Sequence, residues 1–360
     1  MSDLGAAEGR EERHVSGRMG PRRGLARLAA RWVRRPAALV AAVGAVALLA
    51  SACGSASGAA SDGGDYPKRA ITFIVPYAAG GSLDIIARQF TKALGDELHT
   101  TITVQNQDGA QGTVGTGAIT TARPDGYTLG MTTGNILAFQ TTQIKGLPWS
   151  STKDYTPIGK MASESSILAV LSSSPYKTTA DLINAAKANP NKIQVALAGI
   201  GSPQDLAIRQ LNQETGAQMQ SVAFTGGGAE SMTALLGGRT TAVAGQSAYL
   251  KGEVEAGKVR ALTVLGQDPN PAMPDVPTLK DGGYTGGIAS DFYFIGPKGL
   301  PKAITDKLEA ASEKVVNSAS YKKFAAANGY NVSSETAAET KKDLDQQAST
   351  YKDLASLIKK

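Results

Sequence analysis

The chain has 360 residues, with 37 Lys and Arg against 31 Asp and Glu, one cysteine and two histidines. A single cysteine excludes a disulfide within the chain, and two histidines leave little material for a zinc site or a His-based catalytic set. The net charge of +6 is uneven: nine arginines and four acidic residues fall in the first 52 positions, leaving 28 basic against 27 acidic beyond them. That near-balance argues against nucleic acid as a partner and against a polybasic membrane patch.

Residues 1–52 combine those arginines with an apolar run from Pro36 to Ala50 and close on Ser51-Ala52. A basic segment, a short apolar core and small residues make an export signal. The run is shorter than the roughly 20 residues a membrane-spanning helix needs. Met1 and Met19 both stand as possible starts, and signal character begins only after Met19. Arg34-Arg35 hint at twin-arginine export, but Pro36 breaks that motif. Ala50-Ser-Ala-Cys53 followed by Gly54 resembles a bacterial lipoprotein processing site. That resemblance implies a lipidated Cys53 and a chain anchored on the outer face of the cytoplasmic membrane; ordinary cleavage nearby is the alternative. Residues 53–65 read as a flexible Gly/Ser/Ala tether, and the 295 residues from Tyr66 onward are enough for two domains.

Ile71 to Val75 reads as a buried strand, Pro76 to Gly81 as a glycine-rich turn, and the stretch from Ser82 as a helix with Asp84 in its first turn. Such a turn leaves backbone N–H groups at the positive end of the helix dipole, a seat for an anion. Ile102 to Gln105 reads as a strand, Gly109 to Gly117 as a second glycine-rich turn into a helix around 118–122, and Tyr127 to Thr132 as a strand ending in Thr133-Gly-Asn135. Ile167 to Leu171, Ile193 to Ala198, Val222 to Phe224 and Val259 to Leu265 read as further strands. Helices are expected over Thr179 to Ala188, over Pro203 to Thr215 after Gly199-Ile-Gly-Ser202, and through Leu236 after Thr225-Gly-Gly-Gly228. From Pro301 the chain reads as helices with no strand between them: 304–316, 321–327 and 337–358.

This alternation is that of doubly wound parallel sheets, which bind ligands at the carboxyl ends of their strands. If two or more glycine-rich turns converge, three or four charge-assisted hydrogen bonds of about 1.5–3 kcal/mol each approach the roughly 8 kcal/mol of a micromolar complex. No Gly-x-Gly-x-x-Gly or Gly-Lys-Ser/Thr signature is present, so no nucleotide cofactor is expected. His99 reads as a surface cap at the end of the first helix. These residues describe a binder rather than a catalyst, although a Ser–Lys or all-carboxylate enzyme stays open.

The segment Tyr66-Pro-Lys-Arg-Ala-Ile-Thr-Phe-Ile-Val-Pro-Tyr-Ala-Ala-Gly-Gly-Ser-Leu-Asp-Ile-Ile-Ala-Arg88 resembles the opening of the Bug/TctC family, the extracytoplasmic solute receptors of tripartite tricarboxylate transporters. The likeness continues in order through Asn106 to Gly117, Arg123 to Leu129, Phe224 to Ala229, Ala234 to Gly238, Gly257 to Leu262, Pro274 to Thr278 and Gly296 to Pro301. It implies two doubly wound α/β domains forming a periplasmic-binding-protein-like clamshell with a cleft between them. Domain 1 would comprise residues 66–165 and 288–360, and domain 2 residues 166–287. Carried over to this chain, the ligand-binding positions are Tyr77, Ala79, Gly80, Gly81, Ser82 and Asp84 in domain 1, with Asp84 ordering the turn. Gly201, Ser202, Thr225, Gly226, Gly227 and Gly228 follow in domain 2, with Thr133 and Ser247 as lesser positions. The resemblance implies a monomer that delivers a small organic acid to integral-membrane transporter subunits, with no metal; a receptor docking on a membrane sensor kinase is the alternative. The chain departs from the family at Ser202-Pro-Gln-Asp205, at Arg239-Thr-Thr241 and at Ser290-Asp-Phe-Tyr-Phe294, which puts the usual ligand in doubt.

Overall fold

A computed structural model describes residues 65–224 and 227–358; the expected export signal, Cys53, most of the expected tether, Thr225 and Gly226 lie outside the described residues. The first part of the chain runs β1 (Ile71–Val75), α1 (Ser82–Leu98), β2 (Ile102–Asn106), α2 (Thr113–Thr120), β3 (Thr128–Thr133), α3 (Gln140–Gln143) and β4 (Tyr155–Glu164). A π-helical segment, Asn135–Phe139, leads into α3. The middle part holds β5 (Ile167–Leu171), α4 (Thr179–Ala188), β6 (Gln194–Leu197), α5 (Pro203–Thr215), β7 (Gln220–Ala223), α6 (Gly227–Leu236), β8 (Ala242–Gly245), α7 (Ser247–Glu255) and β9 (Val259–Val264). The last part comprises β10 (Ser290–Pro297), α8 (Lys302–Asn317), α9 (Ala319–Ala327), β11 (Asn331–Glu335) and α10 (Ala337–Ile358).

Two sheets result, each the centre of a lobe. One has the order β11-β4-β10-β3-β1-β2 and the other β7-β6-β8-β5-β9. The chain passes between them twice, through Ser165-Ser166 and through the segment between β9 and β10. Both sheets are mixed. β1 pairs in parallel with β2 and β3, and β6 with β7 and β8, whereas β10 is antiparallel to β3 and β4, and β5 antiparallel to β8 and β9.

The register fixes which edges meet. Ser290 pairs with Glu164 and Phe292 with Thr133, so β3 ends beside the start of β10 and the end of β4. Ile167, two residues beyond the Ser165 crossing, pairs with Gly245 at the end of β8 and with Val264 at the end of β9. The carboxyl edges of the parallel strands in both sheets therefore face the two crossings.

Packing on either side holds these edges. Phe73, Phe90, Phe294 and Tyr321 form a buried aromatic cluster between the first sheet and α1, α8 and α9, with ring centroids 5.4–6.3 Å apart. Ile74, Ile119, Trp149, Tyr293 and Ile295 pack on the other face, with Leu344 of α10. In the second lobe Leu182, Ile208 and Leu211 cover one face, and Met232, Leu235 and Leu250 the other. The last helix belongs to both lobes. Half-buried Lys160 pairs with Asp291 at 3.0 Å and with Asp343 of α10 at 3.2 Å, while Tyr351, Leu354 and Ala355 pack against Phe139 and against Leu206 of α5.

Three expectations are corrected. The tail is not free of strands: β11 pairs antiparallel with β4. It is an edge strand with one apolar residue, Val332, so it joins through backbone bonds that leave no alternating pattern. The helix expected around 118–122 spans Thr113–Thr120 instead, in a Thr/Gly-rich stretch of poor helix propensity. Glycine is required there, because a Cβ at Gly115 would lie 2.6 Å from the Gln107 carbonyl oxygen and 2.8 Å from Pro76 Cα. Lastly, antiparallel β4, β5 and β10 interrupt the purely parallel pattern. His99 is exposed and caps α1 in the left-handed region at φ 52°.

Phe90→Ala removes the ring at the centre of the aromatic cluster. It is expected to cost about 3–5 kcal/mol, read as a lower urea midpoint; a loss below 1 kcal/mol would contradict the packing described.

Candidate functional site

The β1–α1 turn is built by one carboxylate. Gly80 takes φ 83°, a conformation natural to glycine, and its N–H donates to Asp84 Oδ2 at 2.9 Å. Arg88 Nε donates to the same oxygen at 2.9 Å, and Asn106 Nδ2 to Oδ1 at 2.9 Å. Asn106 Nδ2 also reaches the Tyr77 carbonyl at 2.9 Å, which ties the turn to the end of β2. Burial pushes the Asp84 carboxyl up, but the bonds from Arg88, Gly80 and Asn106 outweigh it and hold the group below the usual carboxylate range. The N-cap of α1 is Gly81, so no side chain caps the first turn of that helix.

The second lobe repeats the device. Gly201 takes φ 76° and donates its N–H to Asp205 Oδ2 at 2.8 Å. Arg209 Nε lies 3.0 Å from both oxygens of the fully buried Asp205. Glycine, aspartate and arginine are four residues apart in each case, Gly80-Asp84-Arg88 and Gly201-Asp205-Arg209. This spacing puts the carboxylate under the turn and the guanidinium one helical turn further on. The lobes differ at the cap: Ser202 Oγ accepts the Asp205 N–H at 3.3 Å, which leaves its hydroxyl hydrogen to donate elsewhere.

The remaining positions surround these two turns. Thr133, at the end of β3, bonds the Tyr77 phenol; burial outweighs that bond and pushes the phenol up to about 12. Ala79 and Gly80 are exposed. In the second lobe Gly227 opens α6 at φ 71°, and Gly228 lies against Tyr249, whose ring would be 2.5 Å from a Cβ there. Ser247 is buried at the start of α7, where Gln246 provides no side-chain cap. Arg239 lies over the Phe224 ring at 5.3 Å.

The structure brings these groups together at the facing edges. Tyr77, Gly80, Gly81, Ser82, Asp84 and Thr133 line the edge of the first sheet, and Gly201, Ser202, Gly227, Gly228 and Ser247 that of the second. One cross-lobe contact is tight: a Cβ at Gly201 would sit 2.5 Å from the Phe139 ring. Residues the sequence reading passed over also sit here. Asp205 was legible in the repeated spacing. Glu164, buried next to Ser82, was not, and neither was Asn135, whose Oδ1 is buried without a partner on the π-helical segment. Among the described residues no group of three or more His, Cys, Asp or Glu has the arrangement of a metal site, and no helix is long and apolar enough to cross a membrane.

Two lobes joined by two crossings, with the carboxyl edges of both sheets turned to those crossings, are the architecture of periplasmic-binding-protein-like receptors. The chain belongs to the tripartite tricarboxylate transporter family receptors, whose sequence pattern matches residues 86–360. It is 34% identical over 258 residues to the UPF0065 protein in the gbd 5' region of Cupriavidus necator, covering 71% of this chain and 77% of that one. Among solved structures, periplasmic binding protein BugD superposes with a TM-score of 0.71 at 27% identity, over 81% of this chain and 98% of BugD. R. palustris Rpa4515, solved with adipate, gives a TM-score of 0.75 at 24% identity, over 82% of this chain and 98% of that one; this likeness shows the fold.

Asp84→Asn keeps the shape of the turn but removes the charge that Gly80, Arg88 and Asn106 address. A stability loss of about 1–3 kcal/mol is expected at pH 7. Because the folded carboxyl lies below its usual range, its contribution is present above the unfolded pKa of about 4 and is lost as pH falls further. The difference between parent and variant in denaturant titrations should shrink below pH 4; a constant difference would contradict the assignment.

Proposed function

We propose that the protein is an extracytoplasmic receptor that captures a carboxylate-bearing small molecule in the cleft and delivers it to an integral-membrane transporter. The observation that carries this reading is the pair of left-handed glycine turns, at Gly80 and Gly201, each braced by a buried aspartate and each opening a helix at a facing sheet edge. Helix N-termini present backbone N–H groups and positive dipole ends, and charge-assisted hydrogen bonds from them favour a carboxylate. Ser202 adds a hydroxyl donor. Closure of the lobes would bring the second set of donors onto a ligand seated on the first, drawing its energy from contacts made only in the closed form.

The adipate bound by a structural neighbour has the expected chemistry, as does the family name. Cys53 in Ala50-Ser-Ala-Cys53 is proposed as the lipidated first residue of the mature chain, with residues 53–65 as the tether that lets the lobes reach a transporter. Lobe boundaries at 165–166 and near 288 are proposed on the sheet membership of β4, β5, β9 and β10.

A thermal-shift screen of the soluble mature chain, refolded to remove carried-over ligand, tests the reading with mono-, di- and tricarboxylates and aromatic acids. A ligand at 100 times its dissociation constant adds about 2.7 kcal/mol, a shift of several degrees. No shift from any acid would overturn the carboxylate reading. Gly81→Asp should then weaken the best ligand at least about 100-fold, ~2.8 kcal/mol, with the fold retained. Gly81 has an ordinary φ of −74°, and an added Cβ meets only the Ala78 carbonyl oxygen, at 3.5 Å. Gly227→Asp should act likewise, with about 1 kcal/mol of added strain because its φ is 71°. Unchanged affinity in both variants would contradict the site.

A further inference from the structure

A buried polar joint lies between the lobes, and it is centred on Glu164. This residue ends β4, immediately before the first crossing, and is 1% exposed. Its Oε2 lies 2.5 Å from Ser82 Oγ, in the first turn of α1. Ser82 Oγ is also 3.0 Å from the Tyr330 hydroxyl, and that hydroxyl lies 2.9 Å from the Ser82 carbonyl oxygen. Toward the other lobe, the Ser247 backbone N–H at the start of α7 addresses the Glu164 carboxyl, yet Oε1 is left without a full hydrogen bond. Ser247 Oγ in turn accepts from Asn270 Nδ2 at 2.6 Å, and a Cβ at Gly329 would be 2.2 Å from Ser247 Oγ. The joint therefore spans α1, the first crossing, α7, the second crossing and the segment before β11.

Counting hydrogens across these contacts decides the protonation of Glu164. The Ser82 carbonyl is only an acceptor, so the Tyr330 hydrogen goes to it. The contact between Ser82 Oγ and Tyr330 then takes the single serine hydrogen. Nothing remains for the short Ser82–Glu164 contact unless the carboxyl itself donates. A protonated Glu164 satisfies all three contacts, whereas an ionised one leaves two oxygens facing each other without a hydrogen.

We infer that Glu164 is a positioning residue of the cleft: a neutral acid that ties the first turn of α1 to the first turn of α7, and whose deprotonation loosens the joint and weakens anion binding. The clause on anion binding rests on the proposed carboxylate ligand; the joint itself does not. An ionised Glu164 would place a negative charge between two helix N-termini and compete with a ligand anion for their dipoles. Burial raises the group to about 8, against the bonds from Ser82 and Ser247. The ionisable side chains coupled to it are Tyr249 on α7 and Tyr330, both raised by burial first and then by the Glu164 charge, so neither titrates in the same window.

The sign follows from the raised value. The stabilisation is complete below the unfolded glutamate pKa of about 4.3 and is lost as pH rises through about 8. The experiment compares the parent with Glu164→Gln, whose amide donates to Ser82 Oγ as the protonated acid does, and with Glu164→Ala. Melting midpoints of the ligand-free mature chain are recorded from pH 5 to 9.5, and calorimetric titration with adipate is run from pH 6 to 9.5. The parent midpoint should fall toward pH 9 relative to Glu164→Gln, which lacks that component, while Glu164→Ala is destabilised throughout. The parent dissociation constant for adipate should rise by up to about tenfold per pH unit above 8, with Glu164→Gln holding its pH 7 value. If Glu164→Gln follows the parent in the melting profile, the inference is overturned. The melting series needs no ligand, so absence of adipate binding in every protein counts only against adipate as the ligand and leaves the melting profiles to decide the joint.

Discussion

Strands β1, β2 and β3 in one sheet and β6, β7 and β8 in the other all end at the edge that faces the two crossings, and the rest of the molecule depends on that direction. Each of these strands is followed by a chain that must turn back, and it does so through a helix. Parallel pairing therefore forces helix N-termini onto both facing edges. The antiparallel members serve the same end: β4 arrives at the edge, β5 leaves from it, and β10 returns through it, so the covalent links between lobes lie where the turns converge. A ligand seat between two bodies needs both surfaces to offer complementary groups, and strand direction alone supplies them.

Peptide dipoles, rather than side-chain cations, give this cleft its character. The two arginines nearest the glycine turns, Arg88 and Arg209, lie against Asp84 and Asp205, so their charge is neutralised where they stand. Glycines and small hydroxyl side chains stand at the two edges, beside Tyr77. In the proposed receptor such a surface would attract an anion without the strong long-range field of exposed lysines, a property suited to a carrier that must also release its cargo. A neutral Glu164 fits the same logic, because a buried charge behind the turns would oppose the dipoles in front of them.

Local chemistry explains which elements were legible before the fold was known. The bounds of α4 follow from the Thr178 capping box with Asp181, and those of α5 from Ser202 as N-cap, Pro203 in the first turn and Gly216 at the end. α10 carries a long apolar stripe and was equally plain. β4 was hidden by Pro157 and Gly159, which dilute a strand pattern, and β11 by its exposure at an edge. The π-helical segment has no signature in Asn135-Ile-Leu-Ala-Phe139, since an extra residue in a helical turn is a response to packing.

The residues of the chain determined by themselves that glycine turns would follow strands and open helices, because strand pattern, glycine and cap residues act within a few positions of one another. They also determined the aspartate and arginine four and eight residues beyond each key glycine, since a helix brings such neighbours together wherever it lies. Only the tertiary structure decided that the two turns face one another, that α10 bridges both lobes, and that Glu164 sits sealed between Ser82 and Ser247. Those contacts join Ser82 to Glu164 and Glu164 to Ser247, positions 82 and 83 residues apart, where hydrogen-bond partners are chosen by how the sheets pack and not by local sequence.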